Sequence, residues 1–117
     1  MKETTILIKD KYPEFEVADH QNVIIRLTKH NWEHIIQRRG SEFHNYWDNI
    51  KDTVINPDII AESKIDDKTR IYIQEKKVKR NFKSKYLIVL VNSNNDIITS
   101  WFSKKIKCFK NINRVEK

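Results

Sequence analysis

The hydrophobic pattern changes period at Asn56-Pro57-Asp58, and this switch constrains the fold more than any other feature of the sequence. Ahead of it, Trp32, Ile35 and Ile36 recur at the three-to-four-residue spacing that places side chains on one face of a helix. Thr28 is a good N-cap for that helix, and Gly40 takes the left-handed stop conformation without strain, so a helix is predicted over 28–39. Ser41 is expected to cap a second helix carrying Phe43, Tyr46, Trp47, Ile50 and Val54 on one face, ended by Pro57. Beyond Pro57 the apolar residues come in short branched runs: "IIAESKI", "RIYIQEKK", "KYLIVLV" and "DIITSWF". Such runs read as strands, and the short polar segments between them favour antiparallel hairpins.

Residues 87–91 are apolar throughout, which predicts the central strand, covered on both faces. Two further runs, "TTILIKD" and "NVIIRL", read as strands before the first helix, with a turn at Tyr12-Pro13-Glu14. The expected fold class is α+β: two helices from the N-terminal half packed on one face of an antiparallel sheet. At 117 residues this is one domain, long enough to bury a real core. The tail over 104–117 fits a terminal strand, a helix or a basic arm.

A single glycine excludes the glycine-rich phosphate loops of the common nucleotide folds, which need two or more. The lone Cys108 can form neither an intramolecular disulfide nor a cysteine-built zinc site. With no apolar run long enough for a signal peptide or a membrane span, a cytoplasmic protein with no membrane partner is expected. The net charge is +7, and it is concentrated: residues 75–85 and 104–117 each carry six bases and one acid. Basic patches on an otherwise mildly acidic body favour a polyanionic partner such as RNA.

The segment "HNWEH" at 30–34 carries two readings. On a helix His30 and His34 lie one turn apart and could share a zinc ion, with Glu33 as base. A catalytic zinc needs a third protein ligand, and neither His20, His44 nor the downstream glutamates offer a convincing one. No metal and no other cofactor is therefore expected. The second reading sets His34 and Arg38, four residues apart, on the polar face opposite Trp32, with Arg39 at the helix end. RNA cleavage without metal requires proton transfer from the ribose 2′-OH and to the leaving 5′ oxygen, plus cations on the phosphorane. Histidine titrates near neutrality and arginine grips phosphate through paired hydrogen bonds. An exposed histidine on a solvated face is the ordinary alternative.

Taken in order, "LTKHNWEHIIQRRG", "VINPDIIAES", "RIYIQ", "KYLIVLV" and "IITSWF" resemble phage-associated nuclease domains of the barnase–EndoU–colicin–RelE (BECR) superfamily over residues 26–107. That resemblance implies a metal-independent endoribonuclease, a toxin or phage accessory protein, with an acidic antitoxin or immunity protein as a further partner. It implies catalytic roles for His34, Arg38 and Thr99. It matches Trp101, which shares a strand face with Thr99, to the aromatic after the strand threonine, where it could stack on a base. Independently of the resemblance, their charge marks Arg39 at the helix end and Lys76, Lys77, Lys79, Arg80 and Lys85 as expected RNA contacts. Where the family pattern has a second histidine followed by proline, this chain has Arg39 and Gly40. A catalytically silent RNA- or DNA-binding module of the same fold is the alternative.

Overall fold

The computed structural model describes residues 14–66, 68–75 and 86–116. The strand expected over 4–10 and the bases Lys76, Lys77, Lys79, Arg80 and Lys85 lie outside the described residues. The chain opens with a hairpin of β1 (Phe15–Ala18) and β2 (Ile24–Leu27). Helix α1 (Lys29–Arg39), a 3-10 segment (Ser41–Tyr46) and helix α2 (Trp47–Ile55) follow. Then come β3 (Ile59–Glu62), β4 (Arg70–Glu75), β5 (Tyr86–Val91), β6 (Ile97–Ser103) and β7 (Lys110–Arg114). These five form one antiparallel sheet in the order β6-β5-β4-β3-β7.

The expected α+β class holds, with three differences in detail. The segment after Gly40 begins as a 3-10 turn, not as an α-helix capped by Ser41, whose side chain makes no capping bond. In a 3-10 turn residues three apart eclipse, which lets both Phe43 and Tyr46 point into the core. The hairpin strand β1 adds to the expected strands, because "FEVA" alternates over only four residues. The middle strand is β4, not β5. The latter is still an interior strand covered on both faces: Leu87, Val89 and Val91 meet the helices, while Ile88 and Leu90 face the other way. Of the three forms that suit the basic tail, it takes the strand, paired with β3.

Packing explains these positions. Trp32 and Ile35 of α1, Ile50 and Val54 of α2, and Ile25 and Leu27 of β2 bury against Tyr72, Leu87, Val89, Val91 and Ile97 on one face of the sheet. Each such side chain contributes about 1.5–3 kcal/mol when fully buried. The opposite face buries Ile59, Ala61, Ile71, Ile73 and Ile88, with Trp101, Ile106 and Phe109 packed on them. Asp19 locks the hairpin to the sheet. Its carboxylate accepts from the Gln21 and Val23 amides at 2.8 and 2.9 Å and from the Tyr72 hydroxyl at 2.7 Å. The Arg26 amide donates to the Asn95 carbonyl at 2.9 Å, which fixes β2 against the β5–β6 turn.

Candidate functional site

Helix α1 lies along the edge strand β6, and the cleft between them is the candidate site. An exposed strand edge presents unpaired carbonyls, and here α1 covers two of them. At its start Asn31 donates through Nδ2 to the Ile97 carbonyl at 3.0 Å; at its end Arg39 donates through Nε to the Ser100 carbonyl at 2.9 Å. The Thr28 hydroxyl caps the Asn31 amide at 3.1 Å, as the sequence predicts. Gly40 ends the helix at φ 98°, with its amide donating to the Ile36 carbonyl at 2.8 Å.

The strand is shaped to meet the helix. Leu90 pairs with Thr99 but Val91 pairs with Ile97, so Ile98 is an extra residue. Such a bulge re-aims the side chains that follow it. Ile97 and Phe102 therefore both reach the helix-side core, whereas Trp101 packs on the opposite one. Ser100 is fully buried where α1 lies against the strand, and its hydroxyl donates to the Ile88 carbonyl at 2.7 Å. A small polar side chain fits there because it brings its own hydrogen bond without holding the helix off.

The cleft encloses about 330 Å³ and is lined by His30, Asn31, His34, Ile35, Arg38, Ile98 and Thr99. His34 and Arg38 on α1 and Thr99 on β6, 61 residues beyond Arg38, thus border one cavity. His30, weighed in the sequence only as a zinc ligand, joins them. Its ring meets that of His34 edge to face, with centroids 4.6 Å apart. Both imidazoles and Arg38 are exposed, and among the described residues neither ring makes a hydrogen bond. His44, by contrast, engages the Ser41 carbonyl through Nδ1 at 3.0 Å and packs edge-on against Trp32. Among the described residues no group of three or more His, Cys, Asp or Glu side chains is placed to hold a metal ion.

Arg39 and Trp101 are placed differently from the cavity residues. Arg39 does not line the cavity; besides the Ser100 carbonyl, it reaches the Thr99 hydroxyl at 3.4 Å and lies over the Trp101 ring at 5.7 Å. Desolvation, then the nearby Arg38 charge, pulls its pKa below the ordinary arginine value. The consequence for Thr99 is chemical. Its oxygen accepts from a guanidinium, which leaves its own proton free to donate to a bound anion. Trp101 is half-buried, edge-on to Phe109. A second polar cavity of about 290 Å³ holds Arg70 and Arg114, but both are engaged. Arg114 forms a two-bond pair with the Glu75 carboxylate at 2.8 and 3.0 Å, and Arg70 donates to the Asn95 side chain.

The family model described as PBECR2, phage-Barnase-EndoU-ColicinE5/D-RelE like nuclease2, matches residues 4–117. The chain belongs to this family. No curated protein and no solved structure matches it. The PBECR2 match reaches well beyond the 26–107 over which the motifs suggested the resemblance, and takes in the β1–β2 hairpin and β7. Membership makes this a nuclease-family domain, with the α1/β6 cleft as the candidate centre. Among the described residues no helix is long and apolar enough to cross a membrane.

Sequence reasoning missed Asn31 and Ile98, and it set His30 beside His34 only as a zinc ligand, not in a cleft with Arg38 and Thr99. The helical repeat already aligned the two histidines. The bulge at Ile98, which sets the faces of the β6 residues after it, carries no such signal, because it arises from strand register.

Proposed function

We propose that this PBECR2 domain is an endoribonuclease that cleaves RNA by attack of the ribose 2′-OH, without a metal ion. The observation that carries the reading is the convergence of His34, Arg38 and Thr99 on one open cavity between α1 and β6. His34 takes the proton of the 2′-OH, the 2′ oxygen bonds to phosphorus, and the bond to the 5′ oxygen breaks. The leaving oxygen is protonated from solvent at the open mouth of the cleft, and a 2′,3′-cyclic phosphate remains. Arg38 holds the phosphate charge, which grows as the phosphorane forms. Thr99, held by Arg39, donates its hydroxyl proton to a phosphate oxygen and orients it. The bases of 76–85 hold the flanking backbone without sequence preference. Trp101 takes a base against its exposed portion.

A basic RNA-cleaving domain of this kind acts in the cytoplasm as a toxin or phage accessory protein, and an acidic antitoxin or immunity protein is the partner that would silence it. The test is cleavage of single-stranded or transfer RNA by the purified protein in EDTA, with cyclic-phosphate ends on the products. A silent RNA-binding module is the rival reading. It is favoured by one observation: Arg39, standing in place of the family's second histidine, is engaged by Ser100 and Thr99. RNA binding with no cleavage of any RNA would decide for it.

A further inference from the structure

We infer that His30 and His34 form a two-imidazole chelate for one divalent transition-metal ion, and that the bound ion shuts the cleft down. The two rings sit one helical turn apart on a segment held at both ends. Asn31 binds β6 beside His30, Trp32 and Ile35 are buried in the core between and beside the pair, and Arg39 ties the helix end to Ser100. Their backbone spacing is therefore fixed before any ion arrives, which is what a chelate needs.

The rings are close enough to share an ion once they turn: both are exposed, and rotation about their side-chain torsions takes them from the observed edge-to-face contact to one in which each aims a nitrogen at a common point. An ion bound about 2.0–2.1 Å from a ring nitrogen lies roughly 3 Å from that ring's centre, so two imidazoles sharing one have centres about 4.5–5 Å apart. The observed separation is 4.6 Å. Neither ring is committed to a hydrogen bond among the described residues, so no partner has to be displaced. His44 differs on this count, being engaged by Ser41. Imidazole suits nickel, copper and zinc alike, with copper bound tightest of the three. With no third protein ligand among the described residues, water fills the remaining positions. Arg38, which lines the same cleft, opposes the ion by like charge and limits its affinity. This is an inhibitory site: an ion on His34 occupies the lone pair that would accept the 2′-OH proton. The inhibitory half rests on the proposed ribonuclease reading; the binding half does not.

The test uses Ni²⁺ and the full chain. In calorimetric titration the wild type is expected to bind one equivalent, and in spectra of the histidine rings His30 and His34 should broaden before His20 and His44. His30→Ala should weaken binding by at least about tenfold, since even outer-shell partners of metal ligands are worth about 10–100-fold. His44→Ala should leave binding unchanged. Circular dichroism checks that His30→Ala is folded, as expected for an exposed position. In the cleavage assay Ni²⁺ should slow the wild type, EDTA should restore it, and His30→Ala should resist the ion. Equal Ni²⁺ affinity in wild type and His30→Ala overturns the chelate whether or not RNA is cut. Cleavage that begins only when the ion is added overturns the inhibitory role together with the metal-free reading. If no RNA is cut under any condition, the ribonuclease reading and the inhibitory role fall together, while the titrations still decide whether the chelate exists.

Discussion

Arg39 and Ser100 join α1 to the edge of the sheet: the arginine Nε donates to the serine carbonyl at 2.9 Å, across 61 residues of sequence. The same guanidinium reaches Thr99, so the side chain that ties α1 to the strand also holds a residue of the cleft wall.

Removing that joint has two separable effects. Arg39→Ala strips the hydrogen bond from an edge carbonyl, and a loss of about 1–2 kcal/mol in urea unfolding is expected. It also releases the Thr99 hydroxyl. Arg39→Lys, which keeps the charge but not the fork, should recover part of the stability and little of the cleavage rate. Parallel recovery of both would show that Arg39 acts through folding alone.

The Asp19–Tyr72 bond ties the hairpin to the central strand, and its removal should be felt in stability and its pH dependence. Burial pushes the Asp19 carboxyl up, but the Tyr72 hydroxyl and the Val23 and Gln21 amides outweigh it and hold the pKa below the ordinary value. Burial, then the bond to Asp19, drives the Tyr72 phenol well above the usual tyrosine range. Tyr72→Phe should cost about 1–3 kcal/mol at neutral pH, because a buried acceptor loses its donor. A carboxyl whose folded pKa is depressed stabilises above its unfolded value and loses that contribution as pH falls. The gap between wild type and variant should therefore close below about pH 3.9. A gap constant from pH 7 to pH 2.5 would mean that Asp19 is not the partner that matters.

Much of this architecture was legible in the sequence. Thr28, Gly40 and the Trp32–Ile35 spacing defined α1 to the residue, since capping and helical periodicity are local properties. The strands after Pro57 were legible for the same reason. Their order was not: β7 pairs with β3 although three strands lie between them in the chain, and nothing local in "KNINR" announces it. The site divided along the same line. His34 and Arg38 could be aligned on a helical wheel, and Thr99 came from the family resemblance. The approach of His30 to His34 followed from the repeat once α1 was placed. The bulge at Ile98 and the Arg39–Ser100 bond depend on how α1 docks on β6, which is a tertiary fact.

The bases of 76–85 offer a test independent of the cleft. Replacing Lys76, Lys77, Lys79 and Arg80 by Ala should weaken binding to single-stranded RNA. It should also reduce the slope of log affinity against log salt by about 0.7 for each phosphate no longer neutralised. Folding should change by less than about 0.5 kcal/mol. An unchanged slope would place this run away from the RNA.

The measurement that bears most directly on the α1/β6 cleft as the place of RNA cleavage is single-turnover cleavage in EDTA by wild type, His34→Ala and Arg38→Ala, with affinity for uncleavable RNA measured alongside. His34→Ala should slow cleavage by about 10²–10⁴-fold with binding little changed, as for loss of a general base. Arg38→Ala should impair both, because a phosphate-holding cation acts in the ground and transition states alike. A folded His34→Ala protein that cuts RNA at the wild-type rate would contradict the assignment and move the reaction out of this cleft.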